Sequence, residues 1–141
     1  MNLFKQIFGK GEPPVEHWEH EVLGKLTWDD EYEAWRGRVE NLDVLLAYER
    51  NSSVPPSSVV DLACAVLGNR GDFDSEVARL KERAISIYEQ SFHAEISALV
   101  VRQVFFIDGE RALVAFDGGA DFRAWRIAIE GDTYHDLSFD A

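Results

Sequence analysis

Polar and apolar residues alternate in two separate stretches of the chain, and between them the apolar spacing lengthens to three and four. The first alternating stretch predicts a β-hairpin, Val22 to Trp28 and Ala34 to Val39, around the acidic turn Asp29-Asp30-Glu31-Tyr32-Glu33. Lys25, Arg36, Arg38 and Glu40 fall between Leu26, Trp35, Gly37 and Val39, as a sheet with one packed and one wet face requires. A third strand, Asp43 to Tyr48, follows the tight Glu40-Asn41-Leu42 connection and completes a three-stranded meander.

Arg50 to Ser53 is a polar break, and Pro55-Pro56-Ser57-Ser58 is a helix start. The helix it opens runs from about Pro56 to Leu67, packs through Val59, Ala63, Val66 and Leu67, and is expected to end on Gly68 in a left-handed conformation. A second, longer helix is predicted from a cap at Asp72 or Asp74 to about Gln90. Phe73, Val77, Leu80, Ala84, Ile87 and Tyr88 recur along it at helical steps. From Ala98 the period returns to two. The strands Leu99 to Ile107, Arg111 to Phe116, Phe122 to Ile129 and Thr133 to Phe139 are separated by the turns Asp108-Gly109, Asp117-Gly118-Gly119 and Gly131-Asp132. Strands, two helices, then strands predict an α+β domain: a mostly antiparallel sheet made of an N-terminal three-stranded meander and a C-terminal meander of three to four strands, with the two central helices packed on one face.

The first residues do not continue this pattern. Leu3, Phe4, Ile7 and Phe8 follow helical spacing, and Gly9 to Pro14 (GKGEPP) reads as a linker. Residues 1–14 are therefore expected to form a short amphipathic segment and linker, and residues 15–141 one domain. The segment lacks the continuous apolar region and small-residue cleavage site of a signal peptide, and no apolar run approaches the length of a membrane span.

Charge sharpens the picture. The net charge is −12, and the window Glu12 to Glu33 holds eight acids (Glu12, Glu16, Glu19, Glu21, Asp29, Asp30, Glu31, Glu33) against one base, Lys25. Such a field repels phosphate backbones, which disfavours nucleic-acid binding and favours a basic protein partner. The single cysteine, Cys64, precludes an intramolecular disulfide and suits a reducing, cytoplasmic setting.

Candidate chemistry is sparse. His17 and His20 form an H-x-x-H spacing that on a helix would bring two imidazoles to one face and could begin a zinc site. The acids at 29–33, like Asp117 and Asp121, lack the spacing of a calcium-binding loop and read as solvated turns. No serine-nucleophile motif and no glycine-rich phosphate loop occurs, and Cys64, between Ala63 and Ala65, reads as inert packing. Trp35 and Trp125 are assigned to the core. Trp28 and Tyr32, beside the acidic turn, are the aromatic residues placed to meet a partner.

The segments LGKLTWDDEYEAWRG and FFIDGERALVAFDGGADFRAWRIAIEGD, with two helices between them, resemble a bacterial family, the domain of unknown function numbered 2262. The likeness runs from Leu23 to the C-terminus through the L-G-x-L pattern, the following W-x-G and the late aromatic strand before Ile127. Family members often carry Gly-His where this chain has Ala124-Trp125. The resemblance brings no catalytic residue with it. Small acidic proteins of this kind are similar to immunity proteins that neutralise toxins. The expected function is thus a non-enzymatic interaction domain that needs no cofactor and binds a basic partner, such as a toxin, through Trp28, Asp29, Asp30, Glu31, Tyr32 and Glu33. A metal-assisted hydrolase built on His17 and His20, and a homo-oligomer formed through a sheet edge, are the alternatives.

Overall fold

The computed structural model describes residues 17–47 and 54–140. The amphipathic segment with Leu3, Phe4, Ile7 and Phe8, the GKGEPP linker, Tyr48 and the break at Arg50 to Ser53 lie outside the described residues. Within them the chain is mixed α+β, with nine strands in one mostly antiparallel sheet and three α-helices.

Four strands precede the helices. β1 (His17–His20), β2 (Gly24–Asp29), β3 (Ala34–Val39) and β4 (Leu42–Ala47) each pair antiparallel with the next. β1 was not expected as a strand, because HWEH has no β-branched residue. Its pairing places Trp18 opposite Leu26, and the Trp18 ring packs against the core. In β4 the residues Leu42, Val44, Leu45 and Leu46 are all buried, on both faces of the strand. A strand in the middle of a sheet has that character. Its second neighbour is β5 (Val100–Phe106), which runs parallel to it and sets Val44 beside Val104 and Leu46 beside Phe106. β6 (Arg111–Asp117) and β7 (Ala124–Glu130) continue the sheet antiparallel.

The expected final strand, 133–139, is two short pieces, β8 (Thr133–Tyr134) and β9 (Ser138–Asp140). Both pair with β7, and between them Leu137 is buried. Breaking the strand lets Tyr134 pair with Ile129 and Phe139 pair with Trp125.

The crossover from β4 to β5 is helical. α1 (Ser57–Leu67) buries Val59, Val60, Leu62, Ala63, Val66 and Leu67. Its first turn is closed by the Pro56 carbonyl, which accepts from the backbone N–H of Val59 and Val60 at 3.1 and 3.0 Å. Gly68 is right-handed at φ −68°, not left-handed as expected. A Cβ there would lie 2.4 Å from the Cys64 carbonyl oxygen, so close approach explains the glycine. α2 (Arg70–Ile87) starts earlier than predicted, because Asn69 is the cap and its side-chain oxygen accepts from the N–H of Asp72 at 3.3 Å. It ends earlier too, since Tyr88 is extended.

A 3₁₀ turn (Gln90–Phe92) and a six-residue helix, α3 (His93–Ala98), follow where no element was predicted. Lys81 of α2 donates to the carbonyl of Leu99, just beyond α3, at 2.7 Å and to that of Ser97, in its last turn, at 3.3 Å. This cation satisfies helix-end acceptors that would otherwise lack partners. Sheet residues Val44, Leu46, Val104, Phe106, Val114 and Ile127 share one core with Val59, Phe73, Leu80 and Ile96 of the helices.

Candidate interaction surface

The β2–β3 turn is built by its own first acid. Asp29 ends β2, and its Oδ1 accepts from the backbone N–H of Glu31 and Tyr32 at 2.9 and 3.1 Å, while Oδ2 accepts from Arg36 Nη1 at 3.1 Å. Those bonds, the one from the Tyr32 N–H foremost and that from Arg36 next, hold the Asp29 carboxyl below the ordinary aspartate range. Arg36 also reaches Asp43 at 3.7 Å and lies over the Tyr32 ring at 5.1 Å. Asp30 accepts from the Trp28 indole N–H, and the Trp28 ring meets buried Trp35 edge-on at 5.9 Å. Glu33 adopts φ +50°, a conformation uncommon for a residue with a side chain.

The six residues expected to form one contact surface therefore divide. Asp29 is committed to the turn, and half-buried Trp28 is engaged with Asp30 and Trp35. Asp30, Glu31, Tyr32 and Glu33 are exposed, Tyr32 at 51%. Of the other acids of the window, Glu19 lies on β1 and Glu21 in the β1–β2 turn, while Glu12 and Glu16 lie outside the described residues.

His17 and His20 do not come together. Three positions apart on a strand, they point to opposite faces, so the helical premise behind the zinc reading fails. His20 instead organises the β1–β2 turn. Its Nδ1 accepts from the Val22 N–H at 3.1 Å, its ring stacks on Trp18 at 5.4 Å, and its Nε2 is 3.8 Å from Cys64 Sγ. Among the described residues no three of His, Cys, Asp and Glu group closely enough to hold a metal ion.

A histidine beside a cysteine was not anticipated, and it invites a nucleophile–base reading. The geometry opposes it. With Nδ1 accepting from the turn, the neutral ring carries its proton on Nε2, and although Nδ1 is also 3.9 Å from the sulfur, its lone pair is taken by the Val22 N–H. Burial, followed by the charges of Asp61 and Glu21, pushes the Cys64 thiol above its ordinary range. Iodoacetamide at pH 8 is accordingly expected to alkylate folded Cys64 at least about tenfold more slowly than the chain unfolded in urea, as followed by mass spectrometry. Equal rates would remove the protection inferred here.

The most perturbed carboxylate is Glu95, on α3. It accepts from Arg123 Nε at 2.9 Å, from Arg123 Nη2, from the Trp125 indole and from the Ala120 N–H at 3.1 Å. These bonds, led by Arg123, pull it down to about 2. Phe122, Phe92 and Phe139 lie at 4.5, 5.0 and 5.6 Å from the Arg123 guanidinium. A carboxylate so fully engaged stays ionised and has little capacity left for proton transfer, so the cluster is an anchor for α3 against the β6–β7 loop. Among the described residues no helix is long and apolar enough to cross a membrane. Comparison of the chain with protein-family models, with curated proteins and with solved structures finds no match.

Proposed function

We propose that the chain is a non-enzymatic interaction domain of the immunity-inhibitor kind, acting in the cytoplasm on a basic protein such as a toxin, and a member of the family whose strand pattern it resembles. The observation that carries the proposal is the β2–β3 turn: Tyr32 stands 51% exposed among exposed Asp30, Glu31 and Glu33, on a loop that Asp29 and Arg36 hold in shape. A preorganised aromatic residue ringed by like charge combines a contact of low ordering cost with a field that draws in a cationic surface. In this reading the two meanders and the helices on one face of the sheet form a rigid support for the turn. Inhibition follows from steering and occlusion, with no bond made or broken.

The first partner to test is the product of the neighbouring reading frame, by surface binding kinetics at low and moderate salt. Glu31→Gln with Glu33→Gln is expected to slow association about tenfold at low salt and much less at moderate salt. Tyr32→Ala is expected to cost about 2 kcal/mol, mainly through faster dissociation. Asp29 must be kept, because its loss disturbs the loop itself. Association rates and affinities unchanged in these variants would reject the turn as the binding surface.

A further inference from the structure

In β4 to β7 the core takes Val44, Leu46, Val104, Val114 and Ile127, and the residues between them point the other way. A sheet face turned away from the core is ordinarily polar. Here Leu45 pairs with Phe105, Phe105 with Leu113 and Leu113 with Ala128, an apolar row across four neighbouring strands. None of the four belongs to the core. Phe105, Leu113 and Ala128 are half-buried, whereas Leu45 is only 2% exposed. Burial that complete, on the side away from the core, is what a covered face gives and a wet one does not.

The same row leads to the point where the described chain begins. Leu45 pairs with Arg36, Arg36 with Thr27 and Thr27 with His17. Trp18 and Leu26 face the core, so His17 and Thr27, one position away from each, share the face of Leu45. The preceding chain therefore leaves β1 at one end of the apolar row. Residues 9–16 separate Phe8 from His17. Fully extended, eight residues reach about 26 Å, and the five strand spacings from β1 to β6 come to about 24 Å. Leu3, Phe4, Ile7 and Phe8 are thus within reach of the row as far as Leu113.

Charge favours the same occupant. Residues 1–11 carry Lys5 and Lys10 and no acid, in a chain whose net charge is −12. Cations on the face do not oppose them, because Arg36 is met by Asp29 and Asp43, and Arg126 by Asp140. A second copy of the chain fits less well. Asp43, Gln103 and Arg126 stand in the next row, with only Ala115 among them, so the stripe is narrow. Three half-buried side chains and a buried one fall short of the about 800 Å2 per partner that a stable dimer buries. A tethered segment needs far less, since its effective concentration is in the millimolar range.

We infer that the face of the sheet turned away from the core is a docking surface for the chain's own residues 3–8, which cover Leu45, Phe105 and Leu113 through Leu3, Phe4, Ile7 and Phe8. The chain thereby brings its own cover to a face that would otherwise expose a continuous apolar stripe.

Benzoylphenylalanine placed at Phe4 or Phe8 of the full chain and irradiated, with adducts mapped by mass spectrometry, tests the inference. Adducts within one chain are expected at Leu45, Phe105, Leu113 or the side chains beside them on that face. Leu3→Asp with Ile7→Asp, which leaves the folded domain unaltered by circular dichroism, is expected to lower their yield at least about tenfold, because carboxylates are not buried against such a row without partners. Adducts that join two chains, adducts confined to other parts of the domain, no adduct at all, or an unchanged yield in the doubly substituted chain would each overturn the inference.

Discussion

Glu95→Gln is expected to lower the stability of the fold by about 2 kcal/mol at pH 7, which for a chain of this length is a fall in Tm of roughly 6 °C. The amide keeps the volume and can still accept from Trp125 or Ala120. It leaves the Arg123 guanidinium, confined by three phenylalanine rings, without its counter-charge. Half of a half-buried pair leaves the guanidinium's hydrogen bonds and charge unmet on that side. The effect depends on pH in a definite sense. Because the folded protein binds the Glu95 proton less tightly than the unfolded chain does, the contribution is present in full above about pH 4.5 and fades as pH falls toward 2. Wild type and variant are therefore expected to differ most at neutral pH and to converge between pH 4.5 and 2, as read by denaturant titration at several pH values. A gap that stayed constant over that range would show that Glu95 acts through packing and not through its charge.

The second large effect is expected at Gly118, where substitution by alanine should cost about 3 kcal/mol or more. The residue sits at φ +102°, where a side chain is strained. A Cβ there would also lie 2.5 Å from the Ala98 carbonyl oxygen and 3.4 Å from the Leu99 Cα. Both neighbours are backbone, so relief requires the end of α3 to move, and α3 carries Glu95. Gly131→Ala separates the two causes. At φ +62° with nothing within 4 Å, it carries the conformational penalty without the clash and should cost only about 1 kcal/mol. Thermal denaturation of both variants decides; equal losses would mean that the contact with Ala98 contributes nothing.

Both sites show where sequence patterns stop being informative. The alternation of β6 and β7 was legible because their pleats set buried against more exposed residues, and the longer helix because its apolar residues recur over many turns. Trp35 and Trp125 could be assigned inward for the same reason; they are 0% and 2% exposed. α3 has only six residues, too few for a period to establish itself, although Phe92, Ile96 and Leu99 at steps of four and three were a usable signal. The Glu95 cluster had none, since its partners lie 25 to 30 residues away and are brought close only by the completed sheet. At the acidic turn the residues were legible and their roles were not. Asp29 and Glu31 look alike in a run of acids, and only backbone geometry shows that one builds the loop while the other faces solvent.

The parallel seam between β4 and β5 bears on how the molecule is made. β4 ends at Ala47, and its partner begins at Val100. At ribosomal speeds of about 5–20 residues per second, the N-terminal strands wait several seconds for that partner. Throughout the wait, β4 presents a bare edge with Leu42, Val44 and Leu46 on one face and Leu45 on the other, a template for pairing with any other chain in the same state. Aggregation during synthesis is thus concentrated on one strand and one interval. The acids clustered upstream of that edge give nascent chains a reason to repel one another until β5 arrives.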